Sequence, residues 1–305
     1  MLKILIRRLA HSVLVLWGIS TIVFVLIHLS GDPTNLMLPP DATYEQRAEF
    51  RHRMGFDRPL AVQYIDFLGH AVRLDFGESI RHNQPAMQLV LERVPATLQL
   101  SGVALLIAFA IAVPLGVLAA IKRASWFDTA SLLVALTGQS FPVFWLGIML
   151  ILIFSENLHW LPSSGRGDWK HLVLPSLTLS ALSTAMIMRI LRSSLLEVLA
   201  SDYIRTAKAK GLPDRIIIYK HALRNAAIPV VTIVGLSIGM MLGGAVITET
   251  VFAWPGMGRL AIQAISNRDF PVVQSFVIFT AVVILVINLI VDLLYTWIDP
   301  RIRVT

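Results

Sequence analysis

Six apolar runs, at roughly 9–29, 98–121, 129–154, 172–188, 228–248 and 275–297, set the terms on which this chain can fold. An α-helix rises about 1.5 Å per residue, so about 20 apolar residues cross the roughly 30 Å hydrocarbon core of a bilayer. The run 172–188 is short, but amphipathic continuation through Arg189 and Arg192 carries it toward the headgroups. The run 129–154 is long enough to tilt, or to break at Pro142, whose ring removes a backbone donor. Charged residues make up 15% of the 305 positions, against about 25% in soluble domains. Mean hydropathy is +0.71. The expected fold is an all-α integral membrane protein of about six transmembrane helices.

The N-terminal end imitates a signal peptide, with Lys3, Arg7 and Arg8 before an apolar stretch. That stretch is too long for the apolar region of a leader, and no small-x-small cleavage site follows it. It reads as an uncleaved first helix, with residues 1–30 forming the N-terminal end and first span. Residues 31–97 form a long outer loop, and 98–305 a core of five further spans. In the outer loop, Asp57 and Pro59 suit a helix start. Leu60, Tyr64, Phe67, Leu68 and Ala71 then recur at helical spacing.

Basic residues orient the chain. Lys3, Arg7, Arg8, Lys122, Arg123, Arg301 and Arg303 fall on one side of six spans. So does the segment 189–227, with Arg189, Arg192, Arg205, Lys208, Lys210, Arg215, Lys220 and Arg224. The two short loops of the other side hold only Arg166, Lys170, Arg259 and Arg268. The positive-inside rule then places both termini in the cytoplasm.

Several function classes lose their footing. The chain has no cysteine, so it has no thiolate metal site or thiol nucleophile. No G-x-x-x-x-G-K-[ST] phosphate cradle and no H-E-x-x-H metal motif occurs. The second to fifth runs contain no ionisable residue in their interiors; the first has His11 and His28 near its ends, and the sixth has Asp292 near its inner end. Ion-coupled transporters keep such groups at mid-membrane, so the driving energy is expected from elsewhere. Asp292 is better read as a helix-end residue reaching the interface or a basic neighbour. Gly235-Leu236-Ser237-Ile238-Gly239 matches a nucleophile elbow, which needs a strand–turn–helix setting. Here it lies within an apolar helix. Gly235, Gly239 and Gly243 instead make one small-residue stripe, suited to close helix packing and leaving room for a solute path.

The segment Ser201-Asp202-Tyr203-Ile204-Arg205-Thr206-Ala207-Lys208-Ala209-Lys210-Gly211-Leu212 has the makings of a short amphipathic helix. Ser201 or Asp202 can cap its start. Tyr203, Ile204, Ala207 and Leu212 fall near one face, and Gly211 can take the positive φ that ends a helix. Two readings stand side by side. The helix is pinned to anionic lipid by its bases, or it is a rigid peg for a groove in a soluble partner.

At this segment the chain resembles the permeases of ABC importers. Their cytoplasmic E-A-A-x-x-x-G motif corresponds to Arg205-Thr206-Ala207, three residues, then Gly211. Arg224 stands where the usual proline would follow, within His221-Ala222-Leu223-Arg224-Asn225-Ala226. That departure is similar to the B-type permeases of dipeptide, oligopeptide, nickel and glutathione importers, which carry a D-Y-x-R-T-A-x-A-K-G…H-A-L-R-N-A run. The resemblance extends to Gly31-Asp32-Pro33, Leu74-Asp75-Phe76-Gly77-Glu78-Ser79, Arg192-Ser193-Ser194, Thr248 through Leu260, and Asp299-Pro300-Arg301-Ile302-Arg303.

The resemblance implies a type I importer permease of the bacterial plasma membrane. It implies a second, similar permease as heterodimer partner, two ATP-binding subunits, and an extracytoplasmic solute-binding protein; no nucleic acid is implied. ATP and Mg²⁺ would be held by the ATPases, and this chain would hold no cofactor, metal or catalytic group. Asp202, Tyr203, Ile204, Arg205, Thr206, Ala207, Lys208, Gly211 and Leu212 would dock on an ATPase. Glu249, Trp254, Pro255, Gly256 and Gly258 would form part of an outer gate touching the binding protein, with Trp254-Pro255-Gly256 as a rigid turn. The competing reading of Trp254 is an aromatic anchor at the membrane interface. Peptides are the default cargo; nickel chelates, glutathione or opines are alternatives, and a stand-alone secondary transporter is the rival class.

Overall fold

The structure, a computed structural model, describes residues 2–29, 42–53, 55 and 57–298. The expected family segments Gly31-Asp32-Pro33 and Asp299–Arg303 lie outside the described residues, as do the side chains of Lys3, Arg7 and Asp292. The described residues are helical throughout apart from connecting turns, with no β-strand among them. The chain divides into two compact units: Met1–Ala96 with Pro255–Leu289, and Thr97–Trp254 with Ile290–Thr305.

In the first unit, α1 spans Leu2–Leu29, α2 Tyr44–Arg53 and α3 Leu60–Val72. The apolar spacing in the outer loop thus marks a real helix, entered through Pro59. Asp57 does not cap it; its carboxylate takes a hydrogen bond from the His52 ring at 2.7 Å, which holds the carboxyl below its ordinary pKa. α3 lies along α1 through Tyr64, whose hydroxyl is 2.6 Å from that of Thr21, and through Phe24 against Phe67. The same unit holds α10 (Met257–Ser266) and most of α11 (Phe270–Ile298). Leu260, Ala264 and Val272 from these two form a small core with Ala86, Leu89 and Val90.

Those last three residues begin α4, Ala86–Ile121, a single helix of 36 residues. It starts well before position 98, so part of the expected outer loop is helix. The reason is local: Leu89, Val90, Ala96 and Leu100 continue the buried face of the span backward, past Glu92 and Arg93 on exposed faces.

The second unit carries the main core. α5 (Trp126–Ser140) and α6 (Val143–Asn157) meet at 105°, and the break falls at Phe141-Pro142. A residue before proline is pushed out of the α region, and Phe141 is extended at φ −91°, ψ 135°. The proline resolves the choice between tilt and break. α7 is Lys170–Leu199, 30 residues, longer than the apolar run. A short α8, Asp202–Ala209, is followed by α9, Asp214–Val251. The expected inner loop 189–227 is therefore mostly helix, with turns only around 200–201 and 210–213. Its polar residues project from helix faces, so hydropathy alone cut the spans short.

Among the described residues, five helices are long and apolar enough to cross a membrane, with the bent α5–α6 pair a sixth if it is one span. Many of their apolar side chains, such as Leu106, Leu133, Leu236 and Ile290, are exposed, as lipid-facing surfaces require. The interiors of the second to fifth apolar runs hold no ionisable residue, but two carboxylates lie just beyond their ends. Asp128 in the first turn of α5 and Glu249 near the end of α9 are both buried.

Candidate functional site

α8 is held by one apolar anchor. Ile204 is fully buried in a cluster with Leu195 of α7 and Ile217 and Ala222 of α9, while Ala207 and Leu212 pack on its edge. Asp202, Tyr203, Arg205, Thr206 and Lys208 remain exposed. Ser201 occupies the N-cap position, but its hydroxyl donates to the Val198 carbonyl at 2.6 Å, so the expected cap bond is not made. Asp202 contributes through its charge in the first turn, where the helix dipole favours an anion. The helix ends as the glycine led one to expect. Gly211 has φ +76°, its N–H donates to Lys208 at 2.9 Å, and the Leu212 N–H donates to Ala207 at 3.3 Å. This is the Schellman pattern. No atom lies within 4 Å of where a Cβ would stand, so backbone conformation, not space, selects glycine here.

The two halves of the D-Y…H-A-L-R-N-A run are brought together directly. Asn225 donates through Nδ2 to the Tyr203 hydroxyl at 2.8 Å. Arg205 and Asp202 face each other at 3.3 Å with 76% and 95% of their side chains exposed, an arrangement worth well under about 1 kcal/mol. α8 thus presents a polar, mixed-charge face on a fixed apolar seat. Arg215, Lys220 and Arg224 around it are exposed as well.

The second predicted cluster behaves oppositely. Glu249 is fully buried and takes a hydrogen bond from the Thr97 hydroxyl at 2.5 Å. Phe252 and Trp254 are each 1% exposed. The Arg166 guanidinium lies 5.6 Å over the Trp254 ring and donates to Gln99 at 2.8 Å, while the Gly165 N–H donates to the Phe252 carbonyl. Trp254 is therefore an internal plug, and the reading of it as an interfacial anchor is set aside. Gly256 and Gly258 are buried at the start of α10, and Pro255 is half-buried.

The glycine stripe splits. A Cβ at Gly235 would come within 2.5 Å of Val291, so this glycine lets two helices touch. Gly239 and Gly243 have nothing within 4 Å of that position. Less extreme close approaches, at 3.0 and 3.1 Å, occur where no periodicity announced them: Gly116 against the Met188 carbonyl, and Gly147 against Phe252.

Sequence reasoning missed two polar locks. The Ser79 hydroxyl, within the Leu74–Ser79 motif, donates to Asp269 at 2.5 Å, and the Ile80 N–H donates to the other carboxylate oxygen. The Arg192 guanidinium grips Asp128 with two bonds, 2.6 and 2.8 Å. Asp128 also accepts the Ala124 N–H, and its own N–H is capped by Ser125. The capping serine was the available signal. The partner, 64 positions away, was not announced by any pattern. Among the described residues no cluster of His, Cys, Asp or Glu is suited to a metal.

Comparisons with known proteins place the chain in a family. Residues 112–304 match the family described as binding-protein-dependent transport system inner membrane component, and residues 1–101 match the N-terminal component of the same systems. The dipeptide transport system permease protein DppB of Alkalihalophilus pseudofirmus is 42% identical, with 99% of this chain and all of the relative aligned. The di/tripeptide permease DppB of Pseudomonas aeruginosa and the glutathione permease GsiC of Escherichia coli K12 are each 41% identical, over 99% of both chains. Among solved structures, an inward-facing methionine ABC transporter, MetNI, aligns with TM-score 0.60 and 20% identity, covering 70% of this chain and 97% of that one. With helices of this order and likeness along both parts of its length, the chain belongs to the binding-protein-dependent transport system inner membrane components, the permeases of ABC importers, with the type I permease fold.

Proposed function

We propose that the chain forms, with a second permease of the same kind, the path by which an ABC importer takes up dipeptides, tripeptides or peptide-like solutes such as glutathione. The observation that carries the cargo class is the identity of 41–42% over 99% of the chain with permeases named for dipeptides, di/tripeptides and glutathione. These cargoes share short length, an amine and carboxylates. The glutathione relatives favour a second reading within the same class, in which the cargo is γ-linked.

α8 is read as the element that meets a cytoplasmic ATPase. Its exposed Tyr203, Arg205 and Lys208 over a single buried anchor support that role, as does the Schellman end that fixes its length. ATP and Mg²⁺ are bound and used by two partner subunits, and this chain supplies no catalytic group. The Glu249–Trp254 turn is read as the inner framework of the outer gate, on which other residues meet the solute-binding protein. Both termini are read as cytoplasmic, which the Lys and Arg distribution supports.

The test is uptake by proteoliposomes containing the assembled importer, using a radiolabelled dipeptide and radiolabelled glutathione in parallel. Uptake of one or both is expected only with ATP inside and binding protein outside. Vigorous uptake by this chain alone, without nucleotide, would overturn the reading. In the same assay Gly211→Glu is expected to abolish uptake, because the variant strains the positive φ and puts an anion on the docking face, while the chain still inserts in the membrane. Wild-type uptake by Gly211→Glu would remove α8 from the docking role.

A further inference from the structure

α5 packs on α7 along one narrow face. Of its 15 residues only Asp128, Ser131 and Ala135 are buried, at positions that share one helix face. Gly138 continues that face, where a Cβ would come 3.3 Å from the Ala181 carbonyl of α7. Ala130 and Leu132 are half-buried, and Trp126, Leu133, Val134 and Leu136 are exposed. In the first turn of α5 the large apolar side chains, Trp126 and Phe127, are exposed. Its attachment there is the fork of Arg192 on Asp128, with the Asp128 side chain 7% exposed and that of Arg192 21% exposed.

Arg192 sits where movement of α8 has to pass. It lies seven residues before the end of α7, and the Ser201 N–H bonded to the Val198 carbonyl leads straight into α8. Leu191 and Leu195, on either side of Arg192, belong to the same buried cluster as Ile204 of α8 and Ile217 of α9. The end of α7, α8 and the start of α9 are thus one packed block. α5 begins the bent pair with α6, and its first turn joins that block through an ion pair. The Arg fork is directional and keeps its geometry, which an apolar contact among small residues would not do.

We propose that the Asp128–Arg192 pair is a positioning clamp through which displacement of α8 turns the bent α5–α6 span, so that ATP use by the partners becomes solute movement. This rests on the importer reading above. The pair touches neither solute nor nucleotide. Its loss leaves the first turn of α5 without its fork on the block, and α5 is then held only by the small-residue packing around Ala135.

The experiment compares Asp128→Asn, Arg192→Gln and the exchange Asp128→Arg/Arg192→Asp in the assembled importer in proteoliposomes, with radiolabelled dipeptide and glutathione as probes. Co-purification of all subunits, ATP hydrolysis and uptake are measured on each preparation. The single variants are expected to hydrolyse ATP at near wild-type rates, while uptake per ATP falls about tenfold or more, within the usual size of coupling between sites. The exchange restores part of that ratio. A merely structural role would lower assembly, hydrolysis and uptake together, leaving uptake per ATP unchanged, and that result overturns the proposal. If the single variants fail to assemble, Arg192→Lys, which keeps the charge and loses the fork, decides on the same ratio. A wild-type importer that shows no ATP-dependent uptake sinks the importer reading itself, and is distinguishable because the ratio then has no wild-type value.

Discussion

The α8 segment and the Glu249–Trp254 turn are two motif-dense stretches that close a helix in the same way and then part company. In each, the residue after the last helical turn takes positive φ: Gly211 at +76° and Ala253 at +49°. In each, the next N–H reaches back five residues, Leu212 to Ala207 and Trp254 to Glu249. Yet α8 buries Ile204 and shows its polar residues outward, while the turn buries Glu249, Phe252 and Trp254 together. One motif is a surface and the other is a core. A residue pattern strong enough to identify a family marks both kinds alike, and only packing separates them.

The comparison breaks most readily at Trp254. Removing a fully buried indole costs about 3–5 kcal/mol, so Trp254→Ala is expected to lower the thermal unfolding midpoint of the purified chain in detergent by many degrees, or to prevent recovery of folded protein. Tyr203→Ala on α8 removes a side chain that is 43% exposed and is expected to leave the midpoint nearly in place while reducing transport. Equal melting of the two variants would erase the distinction between core motif and surface motif.

A smaller effect is expected at Thr97. Thr97→Val keeps the shape and deletes the hydroxyl that donates to Glu249. Losing one partner of a buried polar group costs about 1–3 kcal/mol, seen as a lower midpoint in the same assay. Arg205→Ala on α8 breaks an exposed ion pair with Asp202 and is expected to change the unfolding free energy by less than about 0.5 kcal/mol, leaving the midpoint nearly in place. A larger loss from Arg205→Ala than from Thr97→Val would reverse the assignment of inside and outside.

How much of this could be read from residue order follows the physics of each element. The spans were legible because hydrocarbon demands long apolar helices, and Pro142 was legible as a break because its effect is local. Gly211 was legible because glycine advertises positive φ. Leu74, Ala253 and Arg268 adopt the same conformation at equivalent helix ends. Nothing in a leucine, alanine or arginine announces it, since the surrounding packing imposes the strain. The span limits came out short because amphipathic helix ends look like loops to a hydropathy count. The pairs Asp128–Arg192 and Thr97–Glu249 join positions 64 and 152 residues apart, and no local rule carries that distance. The amphipathic helix α8 was legible in outline, but its seat on Ile204 and its tie from Tyr203 to Asn225 needed the fold.

The subtlest distinction concerns the two helix ends themselves. An L-residue in the left-handed region costs about 1–2 kcal/mol relative to glycine. Glycine gives back part of this, because its unfolded chain is freer by about 0.4–1 kcal/mol. Ala253→Gly is therefore expected to raise stability by about 0.5–1 kcal/mol, read as a slightly higher unfolding midpoint with unchanged uptake. Gly211→Ala is expected to lose a similar amount, and since open space surrounds Gly211, the loss comes from the backbone alone. A Gly211→Ala variant that melts normally but transports poorly would show that the ATPase approaches this position closely enough to exclude a methyl group. Should Ala253→Gly destabilise the chain instead, the alanine methyl would be packing against the Trp254 turn strongly enough to outweigh the strain, and the turn would be more of a core than the positive φ alone suggests.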